Sequence, residues 1–382
     1  MTTIAPLRRV ASMSYGDALA ADEREEGAVP VMSSGGITGT HDQPNTLAPA
    51  IVVGRKGSHG SVWWSETPAF VIDTAYSIDR SNTTAHLRWL YYVLQSLGLG
   101  QLSNDVGVPG LSREAAYEAL VTVVPIDEQR RIADFLDDRV ARIDQIIAAR
   151  REQFALVEEA QHESMRVATE GRDRGASWSR PRVAHIFRTG SGSTPPSDRL
   201  DYYDGDVPWV NTGDVRDDLL STTGRTLTRG ALADFSTLVR YPVGSMVIAM
   251  YGQGATKGRT ALLQTTACVN QACCVLQGDP LLLRWAFQWF RAHKADIVEL
   301  ANGAGQPNLS QEIIRNVRLA VPPRDAVEGL LLEIESQQTA SAGTRAFVTR
   351  QISLLQEYKE SLITAAVTGE LDVTTAGSEI PG

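Results

Sequence analysis

Cysteine is scarce in this chain of 382 residues. Cys268, Cys273 and Cys274 share one apolar run, ACVNQACCVL, with no His or acidic residue at ligand spacing. They read as small buried strand residues in a reducing compartment, not as a disulfide framework or a metal site. Long apolar runs are lacking too. None approaches the roughly 20 residues of a membrane span. The start, MTTIAPLRRVASM, lacks the apolar core of a signal peptide. A soluble, cytoplasmic protein with no membrane partner is expected. The histidines His41, His59, His86, His162, His185 and His293 are scattered, with no H-x₃-H pair, so no metal site is expected. Catalytic signatures are missing as well. GQGATKGR at Gly252 has its glycines and lysine in the wrong order for a phosphate loop. There is no Gly-rich strand-turn suited to a methyl donor, no N-P-P-Y-like tetrapeptide and no G-x-S-x-G elbow. A triad assembled from distant Ser, His and Asp residues stays open. The expectation is a chain without catalysis and without a cofactor of its own.

Charge is the next constraint. The formal net charge is −9 and the pI about 5.3, which on its own argues against nucleic-acid binding. The distribution says more than the sum. Residues 1–124 carry about −4, 125–170 about −4, 171–320 about +4 and 321–382 about −5. One block is locally basic, and both helical segments described below are acidic. Globular blocks touching DNA and helices touching another protein would give this pattern.

What the chain does have is an internal repeat. GVPGLS at Gly107, the strand-like VTVVP, and a long helical pattern through VATEG recur as GQPNLS at Gly305, VRLAVPP, a second long helix and AVTGE. The copies lie about 198 residues apart, a period that means a domain pair and not a solenoid. Upstream, Arg9-Val10-Ala11 matches Arg182-Val183-Ala184, and AIVVGRKGSHGSVWW matches SMVIAMYGQGATKGRTALL. The second block holds extra residues, including RTGSGSTPPSDRLDYYDGDVPWVNTGDV and the region around GRTLTRGALADF. The two blocks share a scaffold and differ in loops, where specificity resides.

In the first block, AVPVMSSGGITGTH reads as a strand entering a Gly-rich turn, AIVVGRKGSHGSVWW as strand, tight turn, strand, and AFVIDTAYSI as one further strand. HLRWLYYVLQSLGL has helical apolar spacing. The first long helix starts after Pro125, with Asp127 as its cap. Ile132, Leu136, Val140, Ile143 and Ile147 form a seam that needs a partner helix. Val348, Ile352, Leu355 and Leu362 supply one on the second helix. About 44 helical residues at 1.5 Å rise give roughly 66 Å. The first half of the second helix, EIESQQTASAGTRAF, is a weaker pattern, and Gly343 is expected to loosen or kink it.

GSTPPSDRLDYYDGDVPWVNTGDV, IVVGRKGSHGSVWWSETPAFVIDTAYSI, GQPNLSQEIIRNVRLAVPP, VVPIDEQRRIADFL and SLITAAVTGEL, in this order of kinds across nearly the whole chain, resemble the specificity subunit of type I restriction–modification systems. The resemblance implies an α+β chain: two mixed α/β target recognition domains in pseudo-twofold duplication, separated by two long antiparallel coiled-coil helices. It implies recognition domains at 1–125 and 172–323, spacer helices at 126–171 and 324–370, and a flexible tail at 371–382. Each recognition domain would read half of a bipartite target in double-stranded DNA. The helices would bind two methyltransferase subunits, joined by motor and nuclease subunits, with S-adenosylmethionine, ATP and Mg on those partners. Two features depart from the family. The first block lacks the G-S-T-P segment found at Gly192, and the second helix lacks the EQ-R-I start found at Glu128. A coiled-coil scaffold that does not bind DNA is the alternative.

Phosphate contacts call for Arg, Lys, hydroxyls and turn amides, and base readout for Arg, Lys, Asn and Gln. In the second block the candidates are Arg188, Thr194, Asn211, Tyr251, Gln253, Lys257, Arg259 and Asn308. In the first they are Ser33, Ser34, Arg55, Lys56, His59 and Asn104. Trp63, Trp64, Trp89, Trp209, Trp285 and Trp289 read as core.

Overall fold

The computed structural model describes residues 2–102, 110–171, 177–252, 254–302 and 307–374. The chain folds as two units, Met1–Glu152 with Val348–Gly382, and Gln153–Phe347. Each unit thus takes part of both long helices.

In the first unit, AIVVG is apolar throughout because it is a central strand, covered on both faces. Ala50–Gly54 pairs antiparallel with Val62–Ser65 on one side and Ala75–Ile78 on the other, and Ser14–Tyr15 completes a four-stranded sheet. A three-stranded sheet holds the hairpin Val29–Ser33/Gly36–His41, with Phe70–Val71 added in parallel. AFVIDTAYSI is therefore two strands and not one. The chain turns at Ile72, where the Ala75 amide bonds the Ile72 carbonyl at 3.0 Å, and the halves serve different sheets. Helix Leu87–Ser96 lays Trp89, Leu90, Val93 and Leu94 on the larger sheet, against Ile51, Val53 and Ile78. Ile132, Ala133 and Leu136 of the first long helix join the same core.

The second unit repeats this plan. Arg188–Ser191, Cys273–Gln277, Met246–Ala249 and Thr260–Leu263 occupy the same order as the four strands above, and Asp218–Leu220 adds a parallel edge strand. Arg225–Leu227, Tyr203–Val210 and Cys268–Val269 reproduce the smaller sheet, again with one parallel pair. The extra residues build the edge strand and the helix Arg229–Asp234, capped by the Thr228 hydroxyl. Helix Pro280–Ala292 corresponds to Leu87–Ser96. Asp279 caps it through the amides of Leu281 and Leu282, with Pro at the first turn where a missing N–H costs nothing. Trp285 is fully buried and its indole donates to the Ala320 carbonyl at 2.7 Å.

The long helices run Ile126–Glu170 and Arg324–Thr368. Asp127 lies inside the first turn of its helix, so it complements the helix dipole without being the cap. In the first unit Ile132, Leu136, Ile143, Ile147 and Leu362 are buried, with Val140, Ile352 and Leu355 half-buried against them, and Lys359 Nζ bonds Asp144 Oδ1 at 2.7 Å. In the second unit the pairing is antiparallel: Arg345 bonds Gln161, and Ser164 bonds Gln337 at 2.8 Å. Val348, the residue after that unit, is also buried.

The expected loosening at Gly343 does not occur. The helix is continuous through Arg324–Thr368, and a Cβ at Gly343 would meet nothing within 4 Å. Polar bonds replace the missing apolar seam there. Gln338 Nε2 donates to Gln288 Oε1 at 2.8 Å, while Leu330, Leu331 and Ile334 sink into the core of the second unit. Among the described residues no helix is long and apolar enough to cross a membrane.

Candidate nucleic-acid interface

The loops of the second block carry its polar candidates. Gly192 lies so close to strand Cys268–Val269 that a Cβ there would overlap the Val269 carbonyl oxygen at 1.6 Å. That close approach leads the chain into Thr194, which hydrogen-bonds Gln271. Asn211 holds the next loop. Its amide donates to Asp214 Oδ2 at 2.9 Å, and its Oδ1 accepts from Asn270 Nδ2 at 3.2 Å. Thr194 and Asn211 therefore meet at Asn270-Gln271, the turn between Cys268–Val269 and Cys273–Gln277.

A second group adjoins the first. Gly252 would bring a Cβ to 3.3 Å from Thr212 Oγ1. Tyr251 packs half-buried on the main core, and the Met250 carbonyl accepts from the Leu309 amide at 3.0 Å. Lys257 donates to the Pro307 carbonyl, and Asn308 exchanges backbone bonds with Asn302 at 3.0 and 3.1 Å. Tyr251, Lys257 and Asn308 are thereby gathered. Arg259 enters strand Thr260–Leu263 half-buried, its backbone bonded to Thr256 and Ala249. Arg188 is exposed, but it stands at the Gln277 end of its strand, away from the Asn270 turn, roughly 10 Å along at 3.3 Å per residue. Gln253 lies outside the described residues.

In the first block several candidates are spent on holding turns. Ser33 Oγ donates to the Gly36 carbonyl at 3.2 Å and accepts from the Gly35 amide at 3.1 Å. The Ser34 carbonyl accepts from Ser61 Oγ at 2.5 Å and from Trp63 Nε1 at 3.0 Å. Both serines are buried. Arg55 donates to the Asp73 carbonyl at 3.1 Å and stacks 5.0 Å from the Tyr15 ring centre. Lys56 is exposed, and its backbone bridges Gly110. The His59 ring is clamped between the Gly57 and Gly100 carbonyls, each at 3.1 Å. Gly60 has φ 78°, and a Cβ there would lie 2.1 Å from the Gly100 amide, so only glycine closes this loop. Asn104 lies outside the described residues.

Asn270 and Gln271 were hidden inside a run read as an apolar strand, although the polar pair in its middle marks the turn. Trp63 is 40% exposed beside Ser34 and is not a core residue. Trp89, Trp209, Trp285 and Trp289 are buried, and Trp64 is half-buried. The three cysteines are free and buried. Burial raises the Cys268 thiol to about 11 and the Cys274 thiol to about 12, and pushes Cys273 up as well. Among the described residues no group of His, Cys, Asp and Glu could hold a metal ion.

The family model described as "Type I restriction modification DNA specificity domain" matches residues 8–154 and 177–362. A solved chain from work on complex assembly and conformational transition of the type I R-M system superposes with TM-score 0.73 at 12% identity, over 97% of this chain and 98% of that one. The HsdS subunit from Thermoanaerobacter tengcongensis gives TM-score 0.52 at 14% identity, over 97% of each chain. No curated protein matches. These likenesses carry the fold, and the family match covers both blocks and most of both long helices. The chain belongs to the type I restriction–modification DNA specificity family and is a sequence-specificity component, which sets aside the scaffold that does not bind DNA.

Proposed function

We propose that this chain reads a bipartite target in double-stranded DNA, one half-site per block, and brings two methyltransferase subunits and the motor and nuclease subunits to it. The observation that carries this reading is the repeat of one sheet order in two blocks with different loops. A shared scaffold with divergent loops suits two separate half-sites. The polar cluster Thr194/Gln271, Asn211/Asn270 and Lys257/Pro307 supports readout by the second block. In the first block, Lys56 is the exposed cation of its loop, whereas Ser33, Ser34, Arg55 and His59 have positioning roles. The chain itself is non-catalytic and acts in the cytoplasm. S-adenosylmethionine, ATP and Mg belong to its partners.

The paired helices act as a ruler between half-sites. Each helix of 45 residues is roughly 68 Å long. Two turns of B-DNA at about 34–36 Å per turn match that length. Deleting matched heptads from both helices should shorten the unspecified gap and leave both half-sites unchanged. A map of methylated adenines in cells carrying the variant and its methyltransferase decides the matter, and an unchanged gap refutes the ruler.

A further inference from the structure

Within the second unit, a cleft of about 810 Å³ opens between the recognition block and the helix pair. Lys257, Arg291, Lys294 and Arg345 line it, opposed by Asp217 and Glu158, which leaves an excess of about two positive charges. These cations come from separate elements. Lys257 is in the loop before strand Thr260–Leu263, Arg291 ends helix Pro280–Ala292, Lys294 starts helix Lys294–Glu299, and Arg345 belongs to the second long helix.

Lys294 is the one neutralised locally, 3.4 Å from Asp217 Oδ2. The others are held by neutral oxygens. Arg345 bonds the Gln161 side chain and Lys257 the Pro307 carbonyl. Arg291 bonds Gln288 Oε1 at 3.1 Å and stacks 5.0 Å from the Phe287 ring centre. Burial pulls its guanidinium below the usual arginine range. Among the described residues, Arg291 has no carboxylate within ion-pair distance. Asp217 and Asp218 act on it only from beyond ion-pair distance, so the half-buried guanidinium stays costly, and an anion in the cleft would offset part of that cost.

We propose that this cleft is a phosphate-binding site. A group with two negative charges and several acceptor oxygens matches the charge excess, and the arginine forks favour phosphate geometry. The phosphate comes either from the duplex backbone outside the recognised bases or from a free phosphorylated ligand. The first source rests on the DNA reading above; the second does not. Either one ties the recognition block to the helix pair of the same unit.

The full chain is titrated with inorganic pyrophosphate by calorimetry, and with a random-sequence duplex across a salt series. The variants are Arg345→Gln, Lys257→Gln and Arg291→Lys, with Arg229→Gln as a control outside the cleft. Glutamine keeps a hydrogen-bond donor at both of the first two positions, and thermal melting separates loss of binding from loss of fold. If duplex phosphate is bound, each of these two lowers the slope of log affinity against log salt by about 1. If a free phosphorylated ligand is bound, each weakens pyrophosphate about tenfold, and Arg345→Gln, which lies outside the readout cluster, leaves the duplex slope alone. Arg291→Lys keeps part of the binding, and Arg229→Gln changes neither readout. No response to either probe, or equal loss in the control, overturns the proposal. If the unaltered chain binds no duplex at all, the DNA reading falls, and the pyrophosphate titration still decides the site.

Discussion

Asp137 joins the first recognition block to its long helix. Its Oδ1 accepts from Arg88 Nε and from the Tyr92 hydroxyl, both at 2.6 Å. Arg88 also lies over the rings of Trp64, Tyr91 and Tyr92 at 4.8–5.4 Å. Asp137→Ala leaves the Tyr92 hydroxyl buried without its acceptor, a loss of about 1–3 kcal/mol. The Arg88 pair adds little, about 0–1 kcal/mol, because the Asp137 side chain is 40% exposed and screened by water. The sum is about 1–4 kcal/mol. Tyr92→Phe alone costs less, about 0.5–1.5 kcal/mol, since Asp137 keeps Arg88 and reaches solvent. In the Asp137→Ala background the same change is close to neutral, because no acceptor remains to be lost. The coupling energy is therefore about 0.5–1.5 kcal/mol. Hydrogen exchange of helix Leu87–Ser96 reads the local opening free energy in all four proteins, without needing the two units to unfold as one. A coupling below about 0.5 kcal/mol would show that packing, not this shared carboxylate, holds the helix in place.

Two further outcomes follow from buried groups. Cys268, Cys273 and Cys274 are buried and their thiols hold their protons well above neutrality. A thiol reagent at pH 8 should label none of them in the folded chain and all three after denaturation, and rapid labelling of the native protein contradicts the burial. His293 is buried against Trp289, with Thr169, Asp296, Glu170 and Arg166 around it, and burial lowers its pKa despite the Asp296 carboxylate at 3.2 Å. The unfolded chain then takes up this proton first. The contribution is complete above about pH 6.5 and is lost as pH falls towards the lower folded value. Urea unfolding at pH 7.5 and 5.5 should show a smaller acid loss in His293→Gln than in the unaltered chain; equal losses rule this out.

The scaffold was legible because its signals are periodic and repeated. AIVVG and SMVIA are apolar without alternation, as strands covered on both faces must be, and each copy supports the other. The long helices announced themselves through Ile132, Leu136, Ile143 and Ile147. Gly343 misled because helix propensity is a weak prior. Its cost of about 1 kcal/mol is offset by the Gln338–Gln288 and Arg345–Gln161 bonds, which no apolar periodicity records. The division of AFVIDTAYSI into two strands depends on Ile72 leaving one sheet for the other, a tertiary choice invisible in a run of strand formers.

The interface was less legible, for a different reason. Residue type says what a side chain can bond, not what has already bonded it. Ser33 and His59 have suitable side-chain polar groups, yet turns of the first block absorb them, and Ser34 is buried with its carbonyl accepting from Ser61 and Trp63. Asn211 is spent in part on Asp214 and Asn270, while Gln271 came into view only through its bond to Thr194. Arg291 shows the converse. It lies in RWAFQWFRA, where helical spacing marks it as an ordinary end-of-helix cation. Only the placement of Asp217 against Lys294, and of Gln288 against Arg291 itself, leaves this guanidinium, among the described residues, without a carboxylate at ion-pair distance. Where two blocks share a sheet order and differ in loops, the loop residues already committed to their own turns set the geometry. The residues free to meet a ligand are the remainder, and a sequence cannot subtract one set from the other until the contacts are known.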